Sequence, residues 1–284
     1  MKIVVCIKQV PDTTEIKLDP ATGTMIRDGV PSIMNPDDKG GLEMALQLKD
    51  KYGAEVTVIT MGPPQADDIL REAFAMGADR AIHLNDRKFA GADTLATSNA
   101  IAGALRVLDF DLVITGRQAI DGDTAQVGPQ VAEKLALPQV TYAEEIQGCD
   151  GKIVTIKRRL ERGIEVATCP MPCVVTVNGS AAPCRPRNAR FVMKYKNAKG
   201  TQEAQDANED YFALVNERPY LKLTEWSVND IQSNPEDLGL SGSPTKVKNI
   251  ESVVFQAKEA KVLSGTDAEL DAMMKELITN HTIG

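Results

Sequence analysis

The segment from Thr115 to Gly128 combines residue types and spacing that suit nucleotide binding. It has the sequence TGRQAIDGDTAQVG, in which an apolar strand is predicted to end at Gly116. A loop follows, and a helix is predicted to begin near Asp123 or Thr124. The free N–H groups and the dipole at the start of a helix attract a pyrophosphate. The segment therefore predicts a nucleotide site, with an ordinary tight connection between a strand and a helix as the alternative.

Two acidic residues and a glycine within this loop limit the kinds of ligand that it is predicted to bind. Asp121 and Asp123 would repel a bare phosphate, so they are predicted to cap the helix or to accept hydrogen bonds from sugar hydroxyls. Gly122 lies between them and is predicted to adopt a positive φ, a conformation that residues with a Cβ avoid. The loop thus predicts contact with a nucleoside as well as with phosphate.

Three further loops follow predicted strands and are expected to line the same site. In an open parallel sheet, ligands bind at the carboxyl ends of the strands. The three loops span residues 6–12, 34–38 and 60–64, and the second of them stands directly before a predicted helix.

The chain is poor in the residues that catalyse reactions by themselves. It lacks a G-x-x-x-x-G-K-[ST] loop, a G-x-G-x-x-G motif after the first strand and a G-x-S-x-G motif. The chain has two histidines. His83 lies inside a predicted strand and is expected to be an interior residue, and His281 lies in a terminal tail that is expected to be solvated. No catalytic side chain is therefore predicted, and a bound cofactor is expected to supply the chemistry.

Composition excludes several other classes of function. The formal net charge of −8 disfavours a nucleic-acid-binding protein, which needs a basic face. The first apolar run, Ile3–Ile7, is too short for a signal peptide or a membrane span, so no membrane insertion is predicted. The five cysteines are scattered, and Cys169 and Cys173 lack a second pair at zinc spacing. They are predicted to be structural thiols in a reducing cytoplasm, with no metal site.

The elements that would position these loops alternate between strands and helices. Short β-branched and apolar runs lie at residues 3–7, 56–59, 81–84 and 112–115, and residues with helical periodicity separate them. This alternation predicts an α/β fold of Rossmann-like type, a mostly parallel sheet with helices on both faces.

The second half of the chain follows a different pattern. Extra strands are predicted at 152–158, 163–168 and 173–177, followed by a basic, exposed excursion over 178–210. Residues 1–226 are therefore predicted to form one nucleotide-binding α/β domain.

Residues 227–284 are predicted to form an extended connector and a C-terminal helix. Ser, Asn, Pro and Gly dominate residues 227–248. Thr266 and Glu269 have the spacing of a capping box, and the helix that they open carries one apolar stripe. The stripe consists of Leu270, Met273, Met274 and Leu277. It is expected to pack on a partner chain or on the core.

Several of these segments together resemble a known family, the β subunit of electron transfer flavoprotein. The resemblance covers about residues 1–200 and has its most specific motifs at 7–12, 34–36, 61–63, 75–80 and 116–121. The stretch from Val154 to Val177, with its Lys157-Arg158-Arg159 and Glu165, is similar to the signature region of the family.

The resemblance implies a heterodimer with an α subunit that carries a redox-active FAD. In conventional members the β subunit holds AMP. In a bifurcating branch of anaerobes and nitrogen fixers, the same pocket holds a second FAD that accepts hydride from NADH. One electron then reaches ferredoxin or flavodoxin, and the other passes through the α-subunit FAD to an acyl-CoA dehydrogenase. The residues at 9–13, 19–24 and 37–38 resemble the bifurcating branch.

The resemblance also implies which residues contact the cofactor and the dehydrogenase. The expected cofactor contacts are Cys6, Ile7, Lys8, Asn35, Pro36, Asp37, Asp38, Met61, Gly62, Gly116, Gln118, Ala119, Ile120, Asp121, Gly122, Asp123, Thr124, Ala125, Gln126, Val127 and Gly128. The expected docking loop covers about residues 184–200, with Arg187, Arg190, Phe191 and Val192 as its contacts. Ile7, Pro11 and Met61 are either apolar walls for a flavin ring or ordinary core residues.

Three other functions remain open from the sequence. The first is a conventional carrier that keeps AMP as a structural ligand and never uses NADH. The second is a stand-alone adenine-nucleotide sensor, which predicts a homodimer without flavin. The third is an ATP pyrophosphatase, which calls for a Ser-Gly-Gly loop where this chain has Lys8-Gln9-Val10-Pro11.

Overall fold

The computed structural model describes residues 1–12, 31–205, 207, 209–245 and 260–283. The chain forms two compact units, Met1–Lys248 and Asn249–Gly284. Residues 13–30 lie outside the described residues. They include the last residue of the motif at 9–13 and the whole motif at 19–24.

The first unit is built on a central sheet whose nine strands lie in the order β11-β5-β4-β1-β6-β10-β7-β8-β9. All neighbouring pairs are parallel except β7–β8 and β8–β9, which are antiparallel. A separate antiparallel pair consists of β2 and β3. The strands are β1 Lys2–Cys6, β2 Gln9–Pro11, β3 Ser32–Met34, β4 Glu55–Met61, β5 Arg80–Leu84, β6 Leu112–Gly116, β7 Gln139–Cys149, β8 Ile153–Leu160, β9 Gly163–Pro170, β10 Cys173–Val177 and β11 Thr224–Trp226.

Helices cover both faces of this sheet, as predicted. Buried residues of α1 and α2 share one apolar core with β1, β4 and β6, and those of α3 and α4 share a second core on the other face. The helices are α1 Pro36–Tyr52, α2 Asp67–Met76, α3 Thr94–Leu105, α4 Val127–Lys134, α5 Ala189–Tyr195, α6 Thr201–Gln205, α7 Glu209–Glu217 and, in the second unit, α8 Asp267–Thr279. None of the helices described here has the length and apolar character needed to cross a membrane.

The order of the strands creates a crevice beside β1. The chain moves from β1 through α1 to β4 and onward to β5, and then returns through α3 to β6 on the other side of β1. The connection after β1 and the connection after β6 run in opposite directions. The loops at the carboxyl ends of these two strands are therefore separated from each other. The predicted nucleotide loops at 6–12 and 116–128 therefore border this crevice.

The segment after β11 differs from the predicted connector. Val228, Ile231 and Leu238 are buried in the core beneath α3. The hydroxyl of Ser233 donates to the carbonyl of Asn99 at 2.7 Å. Residues 227–245 therefore belong to the first unit, because apolar residues spaced through this polar segment anchor it to the sheet.

The second unit contains α8 and its predicted capping residues. Thr266 is the N-cap residue, and the carboxylate of Glu269 accepts hydrogen bonds from the hydroxyl of Thr266 and from the backbone N–H of Ser264. The hydroxyl of Ser264 also donates to this carboxylate, and together with the bonds from the N–H of Ser264 and from Thr266 it lowers the pKa of Glu269. The apolar stripe of α8 is exposed or half-buried within this unit, with Leu270 and Met274 both exposed.

Helix α4 approaches the sheet closely at its second residue, Gly128. A Cβ at this position would lie 2.7 Å from Oγ1 of Thr115 and 2.7 Å from Cγ2 of Thr176. Glycine thus permits the start of α4 to rest directly on β6 and β10.

The close approach predicts that Gly128→Ala destabilises the protein. Overpacking of this kind costs about 1–3 kcal/mol, because side chains or backbone must shift. Gly122→Ala is the matched control, since no atom lies within 4 Å of a Cβ at Gly122. Urea unfolding of both variants measures the difference, and equal stability of the two variants would contradict the packing.

Candidate functional site

A buried carboxylate connects the carboxyl ends of β1 and β6. The backbone N–H of Lys8 donates to Oδ2 of Asp38 at 2.8 Å, and the N–H of Gly116 donates to Oδ1 at 3.0 Å. A Cβ at Gly116 would lie 2.2 Å from the same Oδ1, so only glycine allows this approach. Burial raises the pKa of the Asp38 carboxyl to about 7, although the hydrogen bonds that it accepts act in the opposite direction.

The neighbouring Asn35 holds the long loop that follows β6. Its side-chain Nδ2 donates to the carbonyl of Gln118 at 2.8 Å, and its Oδ1 accepts from the N–H of Ile120 at 3.1 Å. The N–H of Asn35 donates to the carbonyl of Lys8 at 2.9 Å. Asn35 is fully buried, so this one residue fixes three of the predicted contact residues, two through its side chain and Lys8 through its backbone N–H.

An ion pair joins the same two loops at the surface. Nζ of Lys8 lies 2.7 Å from both carboxylate oxygens of Asp121. The side chain of Asp121 is only 6% exposed, whereas that of Lys8 is 44% exposed. The lysine therefore offsets the negative charge that would otherwise repel a phosphate near this loop.

The acidic residues of the loop do not cap the following helix, so the first of the two roles predicted for them is wrong. Helix α4 begins at Val127 rather than near Asp123 or Thr124, and its N-cap Gln126 makes no capping hydrogen bond with its side chain. Asp123 instead accepts a hydrogen bond from Nε2 of Gln118 at 2.9 Å. The loop is longer than predicted because side chains within it bind one another.

The positive φ predicted for Gly122 is also wrong. The left-handed residues are Asp123, with φ 49°, and Ala125, with φ 52°. Alanine rarely adopts this conformation, and such strained residues concentrate at ligand-binding and catalytic sites. The unusual backbone of residues 123–125 thus supports a binding role for the loop.

The start of α4 presents hydrogen-bond donors next to this loop. The first N–H groups of a helix have no acceptor within the helix, and Pro129 has no N–H at all. The available donors are consequently those of Val127 and Gly128, at the end where the helix dipole is positive. Gln126 is exposed beside them and accepts from the hydroxyl of Thr94 at 2.9 Å.

The apolar residues predicted to face a flavin divide into two groups. Ile7 and Pro11 are buried, and Ile7 belongs to the core shared with α1. Met61 is partly exposed at the end of β4, followed by a partly exposed Gly62. Cys6 is also partly exposed, and burial of its sulfur raises the pKa of the thiol to about 12. The thiol of Cys6 is therefore neutral, which does not suit a nucleophile.

Arg117 is a further residue of the candidate site that no sequence motif indicated, although it stands between the predicted contacts Gly116 and Gln118. Its Nε lies 3.6 Å from Oδ2 of Asp37, and its guanidinium lies 6.0 Å from the ring centre of Tyr142. Burial raises the pKa of Asp37, while Arg117 acts to lower it. Tyr142 has a φ of 60° in β7. The contact between Arg117 and Tyr142 depends on the arrangement of β6, β10 and β7 in the sheet, which local sequence patterns do not reveal.

The predicted docking loop contains a short helix. Arg187 and Arg190 are exposed around the start of α5, Val192 is 37% exposed, and Phe191 is half-buried. The ring of Tyr195 at the end of α5 stacks on Phe74 of α2 with centroids 4.3 Å apart. The segment is thus anchored to the first unit and presents Val192 to solvent.

His83 and the cysteines other than Cys6 are not among the predicted cofactor contacts. His83 is buried inside β5, which confirms its predicted interior position. All five cysteines are free thiols. Among the described residues, one group of possible metal ligands lies close together, and it consists of Asp67, His83 and Glu225.

Comparisons with known proteins agree on one family. The family model for the electron transfer flavoprotein domain matches residues 22–209. The chain is 46% identical over 276 residues to the electron transfer flavoprotein subunit beta of Clostridium acetobutylicum, covering 97% of this chain and 94% of the relative. It is 49% identical over 249 residues to the caffeyl-CoA reductase-Etf complex subunit CarD of Acetobacterium woodii, covering 87% and 86%. It is 41% identical over 288 residues to protein FixA of Azorhizobium caulinodans, covering 98% and 94%.

The pH dependence of stability tests the buried state of Asp38. Its pKa is about 7 in the folded protein and about 3.9 in an unfolded chain, so the folded state binds this proton more tightly. Lowering the pH from about 7 to about 4 should therefore stabilise the wild type relative to Asp38→Asn, by up to about 1.4 kcal/mol per pH unit. Urea unfolding at several pH values measures the difference. A difference that does not change with pH would contradict the assignment.

Proposed function

Because the chain belongs to the electron transfer flavoprotein family, as a β subunit, we propose that it holds a FAD at the carboxyl ends of β1 and β6. In this proposal NADH is the electron donor, and an α subunit with a second FAD is the partner. Ferredoxin or flavodoxin is one acceptor, and an acyl-CoA dehydrogenase is the other.

The observation that carries the proposal is the connection of the two strand ends by Asp38 and Asn35. These buried side chains fix Lys8, Gly116 and the backbone of residues 118–120 within one crevice. A site whose backbone is fixed before the ligand arrives loses less entropy on binding. The crevice is therefore suited to a large, tightly held cofactor.

The residues along the crevice fit a dinucleotide. The N–H groups of Val127 and Gly128 would donate to the pyrophosphate at the positive end of the helix dipole. Lys8 neutralises Asp121 and would reduce the repulsion of that phosphate. The exposed Asp123 would accept a hydrogen bond from a sugar hydroxyl. When bound, such a flavin would supply the redox chemistry, which is uptake of a hydride from NADH and release of the two electrons one at a time.

AMP is the alternative ligand, because the adenosine and phosphate contacts described above suit AMP as well as FAD. The resemblance of residues 37–38 to the bifurcating branch favours FAD. The similarity to CarD, whose name places it in a caffeyl-CoA reductase complex, supports a reductase partner of the same general kind.

The second unit supports the proposed partnership with an α subunit. Leu270, Met273, Met274 and Leu277 lie on one side of α8 and are exposed or half-buried within that unit. An apolar stripe of this kind is stabilised by burial against another surface. The cytoplasm is the proposed location, because five free thiols suit a reducing compartment.

The ligand content of the purified complex tests the proposal. Denaturation should release two FAD per heterodimer and no AMP, and anaerobic NADH should reduce one of the two flavins directly in the intact complex. One FAD together with one AMP, and no response to NADH, would instead establish a conventional carrier.

The docking contacts are tested by removing one exposed valine. Val192→Ala on α5 should lower electron transfer to the acyl-CoA dehydrogenase about fivefold, since truncation of a buried interface side chain costs about 1 kcal/mol. NADH-dependent flavin reduction should not change. Val107→Ala is the control, because Val107 is 40% exposed and Val192 is 37% exposed. Equal loss of electron transfer in both variants would refute the docking role of α5.

A further inference from the structure

A salt bridge attaches the start of the predicted docking loop to helix α1. Nε of Arg185 donates to Oε2 of Glu43 at 2.8 Å, and Nη2 donates to Oε1 at 3.0 Å. The backbone N–H of Arg185 also donates to Oε2 of Glu43 at 3.0 Å. Nη1 lies 2.8 Å from Oδ2 of Asp50, which is about two turns further along α1. All three guanidinium nitrogens and the backbone N–H of Arg185 therefore contact this one helix.

The carboxylate in this salt bridge is buried. The side chain of Glu43 is 9% exposed, and that of Arg185 is 29% exposed. Burial acts to raise the pKa of the Glu43 carboxyl, but the hydrogen bonds from Arg185 outweigh it, so the pKa is lowered. An arginine that donates two N–H···O bonds to one carboxylate has a fixed orientation. The pair is thus unlike an exposed surface ion pair, which contributes little.

Helix α5 depends on anchors outside itself, because it is short and buries none of its own residues. It consists of the seven residues Ala189–Tyr195. An isolated helix of this length is unstable in water. The N–H of its N-cap residue Asn188 donates to a carbonyl near the end of α2 at 2.8 Å, and Tyr195 stacks on Phe74 of α2. Both of these anchors lie on α2, so Arg185 supplies the anchor to α1.

The helix that binds Arg185 also positions the candidate cofactor site. Asp38, in the first turn of α1, accepts hydrogen bonds from the N–H groups of Lys8 and Gly116. Glu43 lies on the same helix, whose buried residues share one core with β1, β4 and β6. The salt bridge therefore fixes the start of the docking loop relative to the ends of β1 and β6.

We propose that Arg185 and Glu43 are positioning residues for the docking of the acyl-CoA dehydrogenase. The salt bridge holds the chain just before Asn188, where α5 begins, and so determines the direction in which α5 presents Val192 to a partner. The role of the salt bridge in docking rests on the function proposed above.

A salt bridge that serves only the stability of the fold is the competing explanation. Its loss would lower the free energy of unfolding without a selective effect on the dehydrogenase. The ion pair between Lys39 and Glu72 is a matched comparison, because it joins α1 to α2 at 2.8 Å with side chains 38% and 20% exposed. Neither of these two residues lies in the docking loop, so Glu72→Gln is the control variant.

Hydrogen exchange of the assembled complex tests the attachment without any dehydrogenase. In Glu43→Gln a neutral amide replaces the carboxylate that binds Arg185. The backbone amides of residues 185–192 should therefore exchange about tenfold faster than in Glu72→Gln, since the removal of one partner from a buried ion pair is strongly destabilising. Equal exchange of this segment in the two variants would overturn the proposed attachment.

Electron transfer from the dehydrogenase tests the positioning role. A purified acyl-CoA dehydrogenase oxidises its acyl-CoA to the enoyl-CoA, and the two electrons then pass from its flavin to the flavin of the complex. Glu43→Gln should raise the dehydrogenase concentration that gives half the maximal rate about tenfold, because the docking contacts are no longer held in place. The rate at saturation and the NADH-dependent flavin reduction should equal those of Glu72→Gln. An unchanged half-saturating concentration would overturn the role, and so would an equal rise in Glu72→Gln.

Arg185→Lys is the second variant, for the case that Glu43→Gln does not fold. Lysine keeps the charge but lacks the planar fork that binds a carboxylate at two points, so the half-saturating concentration should rise about threefold. No rise in Arg185→Lys would also overturn the role. A wild-type complex that accepts no electrons from the dehydrogenase would contradict the proposed partner and with it the docking role. The nucleotide content of the complex tests the proposed cofactor separately, and hydrogen exchange tests the attachment in either case.

Discussion

The candidate site depends on the hydrogen bonds that the buried carboxylate of Asp38 accepts from two different strands. By accepting from the N–H groups of Lys8 and Gly116, this one side chain joins the backbone just beyond β1 to the end of β6, at the point where the chain changes direction across the sheet. The energetic cost of burying a carboxyl group is visible in its raised pKa. A folded protein tolerates such a cost where two backbone donors would otherwise be left unsatisfied.

The other contacts of the pocket build outward from this connection. Asn35, three residues earlier, fixes the start of the long loop after β6, and the ion pair between Lys8 and Asp121 joins the same loop to the end of β1. His83 makes a comparable connection on the opposite side of β1, where it binds Gly62 at the end of β4. Polar side chains thus fix the backbone at the carboxyl ends of three adjacent strands, β4, β1 and β6. The loops themselves remain exposed to a ligand and to partner proteins.

The sequence alone allowed the fold to be predicted more fully than the site. Strand runs such as Leu112–Thr115 are apolar and β-branched, so their periodicity is local and their alternation with helices implies a parallel sheet. The start of α4 was predicted wrongly. Asp123 accepts a hydrogen bond from Gln118 and does not cap the helix. The packing of residues 227–245 depends on three widely spaced apolar side chains, which a polar composition hides. The contact of His83 with Asp67 joins β5 to the start of α2 and depends on how this helix packs on the sheet, which no motif indicates.

The crevice beyond the carboxyl ends of β1 and β6 is proposed to hold a dinucleotide, and a density map of the native complex of this chain with its α subunit would show it. We expect density for FAD along the loop from Gly116 to Gly128, with its pyrophosphate against the N–H groups of Val127 and Gly128. Density for AMP alone in the crevice would contradict the choice of cofactor. A crevice without any nucleotide density, in a complex that retains its full flavin content elsewhere, would contradict the site itself.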